Sequence, residues 1–166
     1  MSLRALLFIT LWLSSNASHA DDTSVASAAI ASFNAVCFTA GQTAERARDR
    51  MQARDGSPLP YALTFWDTTL QPSPGTPALI ERRCKVSFDG EHTDAAIAAL
   101  QLQMQTPPVF GFAVPLPATH AVHPGTALIE GRELLRGRVA VVHVGREGAS
   151  TFMAVDRLPA DWEARL

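Results

Sequence analysis

The sequence predicts an α+β domain in which two or three helices pack on a largely antiparallel sheet of about five or six strands. Three observations carry this expectation. Apolar residues recur at helical spacing mainly in the first two thirds of the chain, strand-like segments with short connections fill the remainder, and Pro107-Pro108 forbids any helix from running between the two parts. The element order that follows is α-α-β-β-α-β-β-β-β.

Asp21, Asp22, Thr23 and Ser24 offer capping side chains ahead of an apolar stripe at Ala26, Ile30, Phe33, Cys37 and Ala40, which stops at Gly41. A first helix is expected from about 24 to 40. Thr43 can cap a second helix whose apolar stripe is only Ala44, Ala47 and Met51, so it should lie on the surface until Asp55-Gly56-Ser57-Pro58 ends it. From Tyr61 the pattern turns to aromatic and β-forming residues through Trp66. A Pro/Gly/Ser-rich run, Gln71 to Pro77, separates it from Ala78 to Phe88, where Ile80, Cys84, Val86 and Phe88 share a parity. Two strands joined by a long loop follow, with Cys84 facing inward.

Thr93 or Asp94 opens a third helix with Ile97, Leu100 and Met104 on one face. Beyond the prolines, strands are expected at Val109 to Val114, Thr126 to Leu134, Arg138 to Val144 and Thr151 to Asp156, with Gly145-Arg-Glu-Gly148 as a hairpin turn. Pro115 to Gly125 lacks strand character and reads as a loop stiffened by three prolines.

The first twenty residues read as a cleavable export signal. Arg4 supplies a short basic leader, Ala5 to Leu13 is apolar except for Thr10, and Ser18-His19-Ala20 has the small-x-small form that a signal peptidase cuts, here after Ala20. Nine residues are too few to cross a hydrocarbon core, which takes about 20. The expected location is periplasmic or extracellular, with residues 21–166 as a single domain and no integral membrane segment after cleavage. Removing the signal takes away Arg4 and no acid, leaving 13 basic and 16 acidic side chains, a net charge near −3. Such a balance argues against nucleic acid as a partner, which needs a clustered basic face. An oxidising compartment turns the isolated pair Cys37 and Cys84, 47 positions apart, into an expected disulfide.

No frame for nucleophilic hydrolysis, phosphate cradling or a nucleotide cofactor is present, and no cofactor is expected. The leading expectation is a non-enzymatic binding or accessory protein of the bacterial periplasm, whose 115–125 loop contacts a protein or small ligand through Leu116, His120 and Val122. A second reading is a metal site on the H-x-x-H pair His120 and His123, which would need further ligands such as His92, His143, Glu130 or Asp94. The third is a hydrolase without a readable motif, which an enclosed pocket with convergent polar groups would favour. His143, within a run of valines, reads as a hydrogen-bonded core or sheet-edge histidine on a buried face, or as a solvated one on an open face. Arg46, Arg50 and Arg54 form a helical stripe interleaved with Glu45, Asp49 and Asp55, the pattern of a solvated face. Arg82-Arg83 beside Cys84 would matter to that thiol only if it were free.

Overall fold

The structure, a computed structural model, describes residues 17–166. The expected export segment therefore lies outside the described residues except for its last four, which open helix α1. The elements are α1 (Ala17–Ser32), a π-helical turn (Phe33–Cys37), α2 (Ala44–Asp55), β1 (Ala62–Asp67), β2 (Arg82–Asp89), α3 (Thr93–Gln105), β3 (Phe112–Val114), β4 (Thr126–Glu133), β5 (Val139–Glu147) and β6 (Ser150–Arg157). All six strands form one antiparallel sheet in the order β1-β2-β6-β5-β4-β3. The expected α+β class and element order are what the chain adopts.

Period-2 alternation decides which face of the sheet meets the helices. Cys84, Val86 and Phe88 of β2, Ala140, Val142 and Val144 of β5, and Met153 and Val155 of β6 face inward. They pack on Phe33, Val36, Ala47, Met51, Ala96, Leu100 and Met104 from the helical layer. The helix expected over 24–40 passes into a π turn at Phe33, which adds a residue to the turn and brings Phe33, Val36 and Cys37 to the core together. This seats Cys37 against Cys84, and the two are joined with their Cα atoms 5.4 Å apart.

Helix α2 begins as its sequence requires, with the Thr43 hydroxyl accepting from the Arg46 N–H at 3.3 Å. Its exposed face is solvated, while Ala47 and Met51 are fully buried. A polar clasp ties α1, α2 and β1 together. Ser32 donates to Asp55 at 2.5 Å, Tyr61 donates to the same carboxylate, and the Arg54 Nε–H reaches Ser32 at 3.2 Å. Burial first, and then the Asp55 hydrogen bond, push the Tyr61 phenol above its ordinary range.

Three boundaries differ from the expectation. Strand β2 starts at Arg82 rather than Ala78, so Ile80 is buried but stays out of the inner core and borders the opposite face. Edge strand β3 keeps only three residues, because its pairing with β4 starts at Phe112 opposite Glu133. Pairing of β5 with β6 runs on to Glu147 opposite Ser150, which shortens the hairpin turn to Gly148 and Ala149, with Gly148 at φ +63°. No described helix is long and apolar enough to cross a membrane.

The disulfide spans 47 positions, and closing a loop of that size in the unfolded chain is worth about 4 kcal/mol. Replacing both Cys37 and Cys84 by alanine is expected to lower the urea unfolding free energy by about that amount. A loss below about 1 kcal/mol would mean that the helical layer holds the strand without the covalent tie.

Candidate functional site

The outer face of the sheet carries the residues of opposite parity, and there the charges gather. Across one row, Trp66 of β1 stands opposite Arg83 of β2, which stands opposite Asp156 of β6, followed by Val141 of β5, Gly131 of β4 and Val114 of β3. Asp156 is fully buried, although this face has no helix over it. What covers it is the 115–125 loop. A Cβ on Gly131 would come within 2.8 Å of the Pro115 carbonyl, 3.0 Å of the Val114 carbonyl and 3.1 Å of the Pro117 ring, so glycine lets the loop lie directly on the sheet.

The loop delivers His120 to the buried carboxylate. Its Nε2 is 3.0 Å from Asp156 Oδ2, and its Nδ1 is 2.8 Å from the Thr119 hydroxyl. Arg83 donates to the same carboxylate through two parallel bonds, Nε to Oδ1 at 2.7 Å and Nη2 to Oδ2 at 2.5 Å. Its guanidinium lies 5.2 Å from the Trp66 ring. Diagonally along the sheet, His143 Nε2 reaches to 3.5 Å from Asp156 Oδ2, too long for a well-formed hydrogen bond. The two imidazoles meet edge-on, with ring centres 6.0 Å apart.

Burial on its own raises the Asp156 carboxyl. Hydrogen bonds from Arg83, and then from His120, outweigh that and hold it well below the usual carboxylate range. An ionised carboxylate only accepts, so the His120 nitrogen facing it carries the hydrogen. In the neutral ring Nδ1 then keeps its lone pair, and the Thr119 hydroxyl donates to it.

Beside this cluster the loop and sheet enclose a cleft of about 340 Å³. Arg83, Lys85, Arg146, His120, His123 and His143 line it, with Glu147 as the one acid in the lining, and Ile80, Ile129 and Phe152 supply apolar wall. Lys85 holds Glu147 at 2.5 Å and lies 4.8 Å over the Phe152 ring. Arg146 pairs with Glu91 at the exposed margin.

The sequence-derived candidates distribute unevenly over this geometry. His120 and His123 share the cleft, but both His120 nitrogens already have partners. Leu116 borders a separate depression with Trp162, and Val122 points to solvent. His92 stacks near Phe88, and Glu130 pairs with Arg132, both away from the cleft. No group of three or more His, Cys, Asp or Glu among the described residues is arranged to hold a metal ion. Of the α2 arginines, Arg50 donates to Gln42 and Arg54 to Ser32, while Arg46 is exposed. Arg82 and Arg83 fall on opposite faces, and Cys84 is not free.

Asp156, Arg83 and Thr119 were missed by sequence reasoning. The available signal was a lone acid in Thr151-Phe-Met-Ala-Val-Asp156, sharing a parity with the apolar Phe152 and Ala154. Comparison of the chain with protein-family models, curated proteins and solved structures finds no match in any of the three.

Removing the charge by Asp156→Asn strands Arg83 on a covered face and is expected to cost about 3–5 kcal/mol in urea unfolding near neutral pH. Because the folded carboxyl is depressed, its contribution is present above the unfolded value of about 3.9 and fades as pH falls below that. The variant should therefore lose stability less steeply than wild type between about pH 4 and pH 2. Parallel slopes in that window would show that folding does not depress the Asp156 carboxyl.

Proposed function

We propose that the chain is an exported, non-enzymatic binding or accessory protein of the bacterial periplasm, and that its outer cleft receives a small anionic ligand. The carrying observation is the cleft wall, where Lys85, Arg146 and three histidines meet one lining acid, Glu147, beside an Arg83 already paired with Asp156. The partners of Lys85 and Arg146 do not compete strongly. Glu147 and Glu91 are more than half exposed, and exposed ion pairs are worth about 0–1 kcal/mol, so a ligand oxygen can take their place. Arg83 and His120 are held by the buried carboxylate and form a preorganised floor, which spares a ligand the cost of ordering them. Export rests on the leader, Ala5 to Leu13 and the Ser18-His19-Ala20 junction. The disulfide suits an oxidising compartment.

Titration of the mature protein with inorganic phosphate at constant ionic strength, followed by amide NMR, tests the cleft. Saturable shifts at Lys85, Thr126, His143 and Arg146 are expected, and they should vanish when Lys85→Ala and Arg146→Ala are combined. Shifts spread over the surface without saturation, or unchanged in the double variant, would end this reading. Intact mass of the protein from its host should begin at Asp21, and retention of residues 1–20 would remove the export assignment.

A second reading, hydrolysis, is favoured by one contact, the Thr119 hydroxyl at 2.8 Å from His120 Nδ1 with Asp156 on the other ring nitrogen. In it the Thr119 oxygen attacks an acyl or phosphoryl centre, and its proton passes to His120 and on to the leaving group as that bond breaks. Water, deprotonated by His120, then cleaves the Thr119 ester and restores the hydroxyl. A fluorophosphonate probe distinguishes the two. Under hydrolysis Thr119 becomes phosphonylated with loss of fluoride, and His120→Gln prevents it; an unlabelled protein excludes an activated Thr119.

A further inference from the structure

The inner face of the sheet holds a second row of charges, and this one is not balanced. Asp67 of β1 stands opposite Arg82 of β2, Arg82 opposite Arg157 of β6, and Arg157 opposite Ala140 of β5. Two guanidiniums thus occupy directly paired positions on adjacent strands, where like charges repel. Arg157 donates to both Asp67 oxygens at 3.0 Å and to Glu81 at 3.0 Å, and Glu81 is shared with Arg138. Arg82 donates to the carbonyls of Cys37 and Thr39, with its Nε 4.0 Å from Asp67. Among the described residues, three arginines here share two carboxylates.

The surplus is felt by the chain. Burial, and then the Arg157 charge, lower the Arg82 guanidinium to about 10, far beneath its ordinary value. Arg82 and Arg157 each keep a buried Nε–H with no acceptor, and such orphans are uncommon in folded proteins. Both line one small cavity. It has a volume of about 190 Å³ and lies where the row passes from Arg157 to Ala140, whose methyl side chain leaves the space open. The remaining wall is apolar, formed by Phe38, Phe110, Leu134 and Val155 around the buried end of the disulfide at Cys37. The two phenylalanines are fixed edge to face, with centroids 4.6 Å apart.

We propose that this cavity binds a small apolar monocarboxylate, its head between Arg82 and Arg157 and its tail against Phe38, Phe110 and Leu134. The carboxylate supplies the missing negative charge beside the two guanidiniums that line the cavity. A cavity of about 150 Å³ holds a benzene ring, so a head and tail of benzoate size fit this one. The site is separate from the outer cleft, on the other face of the sheet, and stands whether or not that cleft binds anions.

Calorimetry and methyl NMR on the oxidised full-length mature chain, with benzoate as the probe, test the proposal. Expected are saturable binding with a Kd of about 0.1–1 mM and shifts at Ala140 and Val155. Benzyl alcohol lacks the charge and acetate lacks the ring, and each should bind at least about tenfold more weakly. Ala40→Trp, at an exposed residue on the cavity wall, should abolish binding while leaving the amide spectrum folded, and combined Lys85→Ala and Arg146→Ala should leave it intact. Equal affinity for benzoate and benzyl alcohol, undiminished binding in Ala40→Trp, or shifts confined to the outer cleft would each overturn it.

Discussion

A single buried carboxylate organises the outer half of this molecule. Asp156 sits in the middle of a six-stranded sheet, on the face without helices, and stripping water from an ionised group there costs several kcal/mol. The fold offsets that cost with a guanidinium delivered across the sheet by β2 and an imidazole delivered from above by the 115–125 loop. The second of these ties the loop down. A segment with no secondary structure thereby gains a fixed position over the strands, and the cleft beside it gains a roof.

The two faces of the sheet solve the placement of charge differently. On the outer face Arg83 and Asp156 are direct cross-strand neighbours of opposite sign, with Trp66 lying against the cation. On the inner face, Arg82 and Arg157 are direct neighbours of the same sign, one residue along each strand. Because side chains alternate along a strand, the adjacent pair Arg82-Arg83 and the adjacent pair Asp156-Arg157 each divide between the two faces. The same four residues therefore yield a neutralised pair outside and an excess of positive charge within.

The elements were largely legible in the sequence, because they follow from local spacing. The Thr43 cap, the Pro107-Pro108 stop and the alternation of Cys84, Val86 and Phe88 each act within a few residues, and each is found in the fold. Strand ends were less legible. Ala78 to Glu81 has strand composition, yet β1 supplies a partner only from Arg82 onward, so pairing rather than propensity sets the limit. The candidate site was legible only in part. His120, His123 and His143 drew attention as histidines, whereas Asp156 read as the last residue of a strand and Arg83 as a neighbour of a cysteine.

The sequence by itself determined the class of fold, the element order, the inward parity of the strands and the pairing of the only two cysteines, since periodicity and composition carry those. Strand order was decided by the tertiary structure alone. Bringing β6 between β2 and β5 sets residues 73 positions apart, Arg83 and Asp156, side by side, and no local pattern records a contact across that distance. Loop placement was decided the same way, since the 115–125 segment rests on Gly131 of β4 and reaches Asp156 of β6, residues that only the assembled sheet brings together beneath it.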